Sequence, residues 1–66
     1  MQVVVLGAGS WGTTVASLVA GRHPTVLWAR KPEVADEINE NRTNETYLAG
    51  CTLPARLTST ADLDAI

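Results

Sequence analysis

An unbroken apolar run, Val3-Val4-Val5-Leu6, lies near the start of the chain and stops at a glycine. A continuous β-branched run bounded by glycine reads as a buried parallel strand, here over Gln2–Leu6. From Trp11 the period changes: Trp11, Val15, Leu18 and Val19 recur at helical spacing, with Ala16 and Ala20 keeping the helix slim. This predicts an amphipathic helix over roughly residues 11–20, with Ser10 as its N-cap. Gly21 is placed as its C′ residue, Arg22 and His23 lie near the negative end of its dipole, and Pro24 stops it. Thr25-Val26-Leu27-Trp28-Ala29 reads as a second strand. Pro32 suits the first turn of a second helix, with Glu33 and Asp36 near its positive end. Val34, Ala35 and Ile38 form its apolar stripe, Glu37 and Glu40 face water, and the helix fades around Asn41. Residues 41–54 lose periodicity, and Tyr47 and Leu48 are expected to anchor them on the sheet edge. Arg56-Leu57-Thr58 predicts a short third strand. Ser59, followed by Asp62 at the third helical position, predicts a capping box and a third helix from Thr60.

The turn after the first strand adds chemistry to this pattern. Gly7-Ala8-Gly9-Ser10-Trp11-Gly12 follows a strand and opens a helix, which is the context of a dinucleotide-binding turn. A glycine string alone is weak evidence, because glycines punctuate many turns. In this context each glycine has its own steric role. Gly7 turns the chain off the strand, Gly9 lets backbone approach a pyrophosphate, and Gly12 lets the helix lie close. The helix dipole favours the phosphate charge. The fold class is therefore α/β, a partial Rossmann fold (βαβαβ) with a parallel sheet. Ser10 either offers its hydroxyl or N–H to the pyrophosphate or only caps the helix. Trp11 either packs over the cofactor or fills the groove between helix and sheet. Trp28 is either core or sheet surface.

The end of the second strand bears on which dinucleotide binds. An acid there hydrogen-bonds the ribose 2′-hydroxyl of NAD, whereas an arginine accommodates the 2′-phosphate of NADP. The chain has Arg30 and Lys31 at this place and no acid until Glu33. A guanidinium binds a phosphate bidentately, so NADP (as NADPH) is the expected cofactor, with NAD tolerated. The other reading makes Arg30 and Lys31 ordinary solvated charges.

Composition narrows the remaining choices. With 66 residues and one cysteine, Cys51, the chain forms no internal disulfide and buries a modest fraction of its surface. It reads as the N-terminal part, residues 1–66, of a larger cofactor domain, with apolar edges and faces left uncovered. A net charge of −2 with scattered basic residues gives no nucleic-acid face. No stretch approaches the ~20 apolar residues of a membrane span, and no signal peptide is visible. A lone cysteine without an export signal fits a cytoplasmic protein. No His/Cys cluster offers a metal site. His23 reads as a loop residue and Cys51 as structural or incidental.

The motif Gly7-Ala8-Gly9-Ser10-Trp11-Gly12-Thr13, with Val26-Leu27-Trp28-Ala29-Arg30, resembles the N-terminus of bacterial NAD(P)-dependent glycerol-3-phosphate dehydrogenases. Asn41-Arg42, Asn44, Tyr47-Leu48-Ala49-Gly50 and Leu53-Pro54 are similar to the family's loop before its third strand. So is Thr58-Ser59-Thr60-Ala61-Asp62-Leu63 to its entry into the next helix. Ala49 departs from the proline usual there. The resemblance implies that Ser10, Trp11, Arg30 and Lys31 contact NADPH while Gly7, Gly9 and Gly12 shape the turn. It implies reduction of dihydroxyacetone phosphate to sn-glycerol 3-phosphate for phospholipid synthesis, assisted by lysines beyond residue 66 and a helical substrate domain. A homodimer of the complete enzyme is compatible with it. No catalytic residue is assigned within residues 1–66, and the chain alone is expected to be inactive. Ketopantoate-reductase-like enzymes share this kind of start, but Trp11-Gly12-Thr13 and the Tyr47–Pro54 loop argue against them. A non-catalytic nucleotide-binding module is the alternative of a different class.

Overall fold

The computed structural model describes residues 2–66. Its elements run β1 (Val3–Leu6), α1 (Ser10–Ala20), β2 (Thr25–Trp28), α2 (Pro32–Asn41) and β3 (Leu57–Thr60), followed by a 3₁₀ turn, Leu63–Ala65. The sheet is parallel with order β1-β2-β3. The register aligns Val4, Val26 and Thr58 in one row and Leu6, Trp28 and Thr60 in another.

One sheet face carries the core. Leu27 and Leu57 are fully buried against Ala16 and Ala20 of α1 and Val34, Ala35 and Ile38 of α2. Side chains alternate across a strand, so Val4, Leu6, Val26 and Trp28 lie on the opposite face. There Val4 is 42% and Leu6 67% exposed. The expectation of a buried first strand therefore holds for neither face completely: β1 is an edge strand with one face bare.

Helix α1 corrects the expected stripe. Its buried residues are Thr13, Ala16 and Ala20, whereas Leu18 is 75% and Trp11 80% exposed. Small side chains let the helix axis approach the sheet; of the larger ones at helical spacing, Trp11 and Leu18 point outward and Val15 and Val19 are half-buried. Gly12 sets how close that approach is: a Cβ on it would lie 1.9 Å from the Gly7 carbonyl oxygen. The helix begins one residue earlier than expected, with Gly9 rather than Ser10 as N-cap. Gly21 closes it in an ordinary right-handed conformation, φ −64°, so the stop comes from Pro24 rather than from a left-handed glycine.

Helix α2 matches its expected bounds, with Pro32 in the first turn and Glu33 near the positive end. Beyond it the expected third strand is present as β3, shifted to Leu57–Thr60, while the expected third helix does not start at Thr60. Ser59 is a buried strand residue: its hydroxyl donates to Leu27 O at 2.6 Å, and its N–H donates to Asn39 Oδ1 at 2.8 Å. Asn39 Nδ2 returns a hydrogen bond to Ser59 O at 2.8 Å. This clasp from α2 supplies the pairing that makes a strand of a polar segment. The capping role belongs to Asp62, whose carboxylate accepts from Asp64 N–H at 2.9 Å. Arg42 ends α2 at φ 60°, and its guanidinium donates to the Pro54 and Leu57 carbonyls, tying the following segment to β3.

Candidate functional site

The carboxyl ends of β1 and β2 meet the start of α1 at one open cleft, the position where open α/β sheets hold ligands. Its volume is about 440 Å³. Gly7, Ala8 and Gly9 form one wall and Trp28, Ala29, Arg30 and Lys31 another. The two are fixed to each other, because Gly7 N–H donates to Trp28 O at 3.0 Å. Ala29 N–H in turn donates to Thr60 O at 2.8 Å, holding the end of β2 on β3.

Gly7 takes φ +103°, a conformation that favours glycine. A Cβ on Gly9 would meet nothing within 4 Å; it would project into open space beside the cleft. The turn thus leaves room for a ligand to reach the backbone, and the first-turn N–H groups of α1 have no helical acceptors. A dinucleotide pyrophosphate fits this cradle. Arg30 and Lys31 are exposed at the far wall. Gly7, Gly9, Arg30 and Lys31 are therefore brought together, with Ser10 and Gly12 directly beneath in the first turn of α1. Trp11 does not fill the groove between helix and sheet, since its ring stands in solvent. Trp28 is half-buried on the bare face and donates from Nε1 to Ala61 O at 3.2 Å.

The 43–50 segment is the part that sequence reasoning placed wrongly. It lies over the phosphate turn rather than along a sheet edge. Ser10 Oγ donates to the Tyr47 carbonyl, and Tyr47 lines the cleft. Leu48 packs on the core. Glu37, expected in water, clasps this segment: its carboxylate accepts from Glu45 N–H at 2.9 Å and Thr43 Oγ at 2.7 Å. These donors, the Glu45 N–H foremost, hold the Glu37 carboxyl below its ordinary value of 4.5 against a smaller upward push from burial. Glu45 then accepts from Gly50 N–H at 3.0 Å.

Residues 2–66 match the family model described as the NAD-dependent glycerol-3-phosphate dehydrogenase N-terminus. The chain belongs to that family. A glycerol-3-phosphate dehydrogenase [NAD(P)+] of Leptothrix cholodnii is 54% identical over 65 residues, covering 98% of this chain and 19% of its own length. One from Corynebacterium urealyticum is 52% identical over 63 residues, covering 94% of this chain and 19% of the relative. The crystal structure of glycerol-3-phosphate dehydrogenase from Coxiella burnetii superposes with a TM-score of 0.87 at 34% identity, over 97% of this chain and 20% of that one. The chain thus spans about a fifth of the length of the curated relatives it matches.

Family membership agrees with the partial Rossmann fold and with a nicotinamide dinucleotide as the cofactor class. Among the described residues no group of His, Cys, Asp and Glu is placed to hold a metal, and no helix is long and apolar enough to cross a membrane. Cys51 is exposed, and His23 holds a loop by accepting Thr25 Oγ at its carbonyl, 2.9 Å.

Proposed function

We propose that residues 1–66 are the cofactor-holding start of an enzyme that reduces dihydroxyacetone phosphate to sn-glycerol 3-phosphate, with NADPH preferred and NADH accepted. The observation that carries this reading is the placing of the glycine turn and the Arg30-Lys31 pair on facing walls of one cleft. The bound dinucleotide would supply the hydride. The protein's part here is to bind and orient. First-turn N–H groups of α1 meet the pyrophosphate, with Gly9 leaving the approach clear. The Arg30 guanidinium pairs with the 2′-phosphate, with Lys31 adding positive charge beside it. Ser10 contributes its N–H, and Trp11 covers the cofactor from outside the turn. Tyr47 adds a wall that the sequence pattern did not reveal. The names of the relatives support a phosphorylated three-carbon substrate, and the lone cysteine supports a reducing cytoplasm.

The test uses the full-length protein. Titration of NADPH and NADH by nucleotide fluorescence is expected to show binding of both, tighter for NADPH. Adding dihydroxyacetone phosphate is expected to oxidise the nucleotide, with glycerol 3-phosphate as product. Binding without turnover on that substrate would assign the chain to a nucleotide-binding module instead, and absence of binding would remove the cofactor reading.

A further inference from the structure

Asn44 is completely buried although it belongs to an irregular segment. Its Nδ2 donates to the Ala8 carbonyl at 3.0 Å and to Thr13 Oγ at 2.9 Å. Thr13, also completely buried, donates its own hydroxyl to Ala8 O at 3.2 Å. Both amide hydrogens and the hydroxyl hydrogen are used in a closed triangle: Thr13 Oγ accepts one amide hydrogen, and the Ala8 carbonyl in the middle of the glycine turn accepts the other two bonds. The amide orientation is fixed by chemistry, because a carbonyl accepts only and Oδ1 in that place would face another oxygen.

The consequence follows from peptide geometry. The Ala8–Gly9 peptide is trans, so its C=O and N–H point in opposite directions across one plane. Holding Ala8 O inward turns Gly9 N–H away from the interior, and Gly9 itself lines the cleft. Asn44 fixes the other wall as well. Its main-chain carbonyl accepts from Leu48 N–H at 2.7 Å and Tyr47 N–H at 3.3 Å, setting the turn that carries Tyr47 over Ser10.

We infer that Asn44 and Thr13 are positioning residues for dinucleotide binding: they hold the Ala8–Gly9 peptide so that the Gly9 N–H is presented to the pyrophosphate. This rests on the cofactor function proposed above. Neither residue touches the cofactor. Their effect is a donor oriented before the ligand arrives, so no binding energy is spent on turning it.

The experiment uses full-length protein and three probes: NADPH, NADH and adenosine 2′-phosphate, which lacks a pyrophosphate. Thr13→Val keeps the side-chain shape and removes the hydroxyl. It is expected to weaken NADPH and NADH alike, about tenfold or more, since a buried partner is left unpaired. Adenosine 2′-phosphate, which reaches only the Arg30 end, is expected to bind within about twofold of wild type. Thr13→Ser keeps the hydroxyl and is expected to restore dinucleotide affinity, with Asn44→Asp losing more than Thr13→Val. Cooperative melting of each variant checks the fold. A folded Thr13→Val protein with unchanged dinucleotide affinity overturns the inference, as does an equal loss for adenosine 2′-phosphate. Wild-type protein that binds neither dinucleotide overturns the proposed function itself, and the inference with it.

Discussion

A single methyl group has opposite fates at two glycines of the same turn. At Gly12 it would lie 1.9 Å from a backbone oxygen, which cannot rotate away as a side-chain end can. Gly12→Ala is therefore expected to cost about 3 kcal/mol or more, the upper range for overpacking, and to lower the melting temperature whether or not nucleotide is present. At Gly9 the same atom meets nothing. Gly9→Val is expected to melt close to wild type yet lose both NADPH and NADH. If Gly9→Val leaves affinity intact, the turn does not cradle a pyrophosphate. Arg30 acts at the same scale through charge. In the full-length enzyme Arg30→Asp is expected to weaken NADPH by well over tenfold and to spare NADH, because a carboxylate repels a 2′-phosphate and accepts a hydrogen bond from a 2′-hydroxyl. Equal losses for both nucleotides would show that Arg30 does not read the phosphate. The placement of the glycine turn and of Arg30 at the cleft was legible in the sequence, because a glycine-rich turn after a strand and the end of the next strand are set by local pattern. Tyr47 was not, since what places it in the cleft is the Asn44 turn and the Ser10 contact, both made across the fold.

Elements with strong local signals were read well, and those made by tertiary contacts were not. Helix α2 carries a proline start, an early acid and a clean apolar stripe, and its bounds agree with expectation. Strand β3 ends in Thr58-Ser59-Thr60, a polar run that local pattern assigns to a helix cap. The Asn39 clasp and the Ser59–Leu27 hydrogen bond override that preference. In α1 the regular spacing of large apolar residues identified a helix, but Trp11 and Leu18 face solvent, because close approach to the sheet selects Ala16 and Ala20 for the buried face. The segment between α2 and β3 depends on Glu37. Its carboxyl is held below 4.5 in the folded protein, so the clasp contributes above the unfolded value and is lost as pH falls through the lower, folded value. The Glu45 amide resonance is expected to titrate with a midpoint below 4.5. Glu37→Gln is expected to abolish that titration and to raise amide exchange at Glu45. A Glu45 amide that ignores pH in this range would place the segment's order elsewhere.

The whole molecule exposes 4084 Å², close to the roughly 4,000 Å² expected for a folded chain of 7.0 kDa. Its surface is thus ordinary in extent and unusual in composition: Val4 and Leu6 stand open beside half-buried Val26 and Trp28 on one sheet face. The 66-residue chain is expected to bind an apolar dye and to self-associate in sedimentation, and Leu6→Lys is expected to reduce both. A chain that stays monomeric and dye-free would mean that this face is not sticky. The bare face also has a consequence in time. A chain made from its amino end presents β1, α1 and β2 to the ribosome exit before anything that follows. If synthesis runs on to the length of the relatives, at roughly 5–20 residues per second, tens of seconds pass with this unit already formed. During that interval an open parallel edge and an apolar face invite pairing with neighbouring nascent chains. The cleft between the glycine turn and Arg30-Lys31, by contrast, is lined by the end of β2 and by the turns that follow β1 and β2, which are made early. On the proposed function, a dinucleotide that bound this cleft at that stage would favour the folded form by mass action while the rest is still being translated.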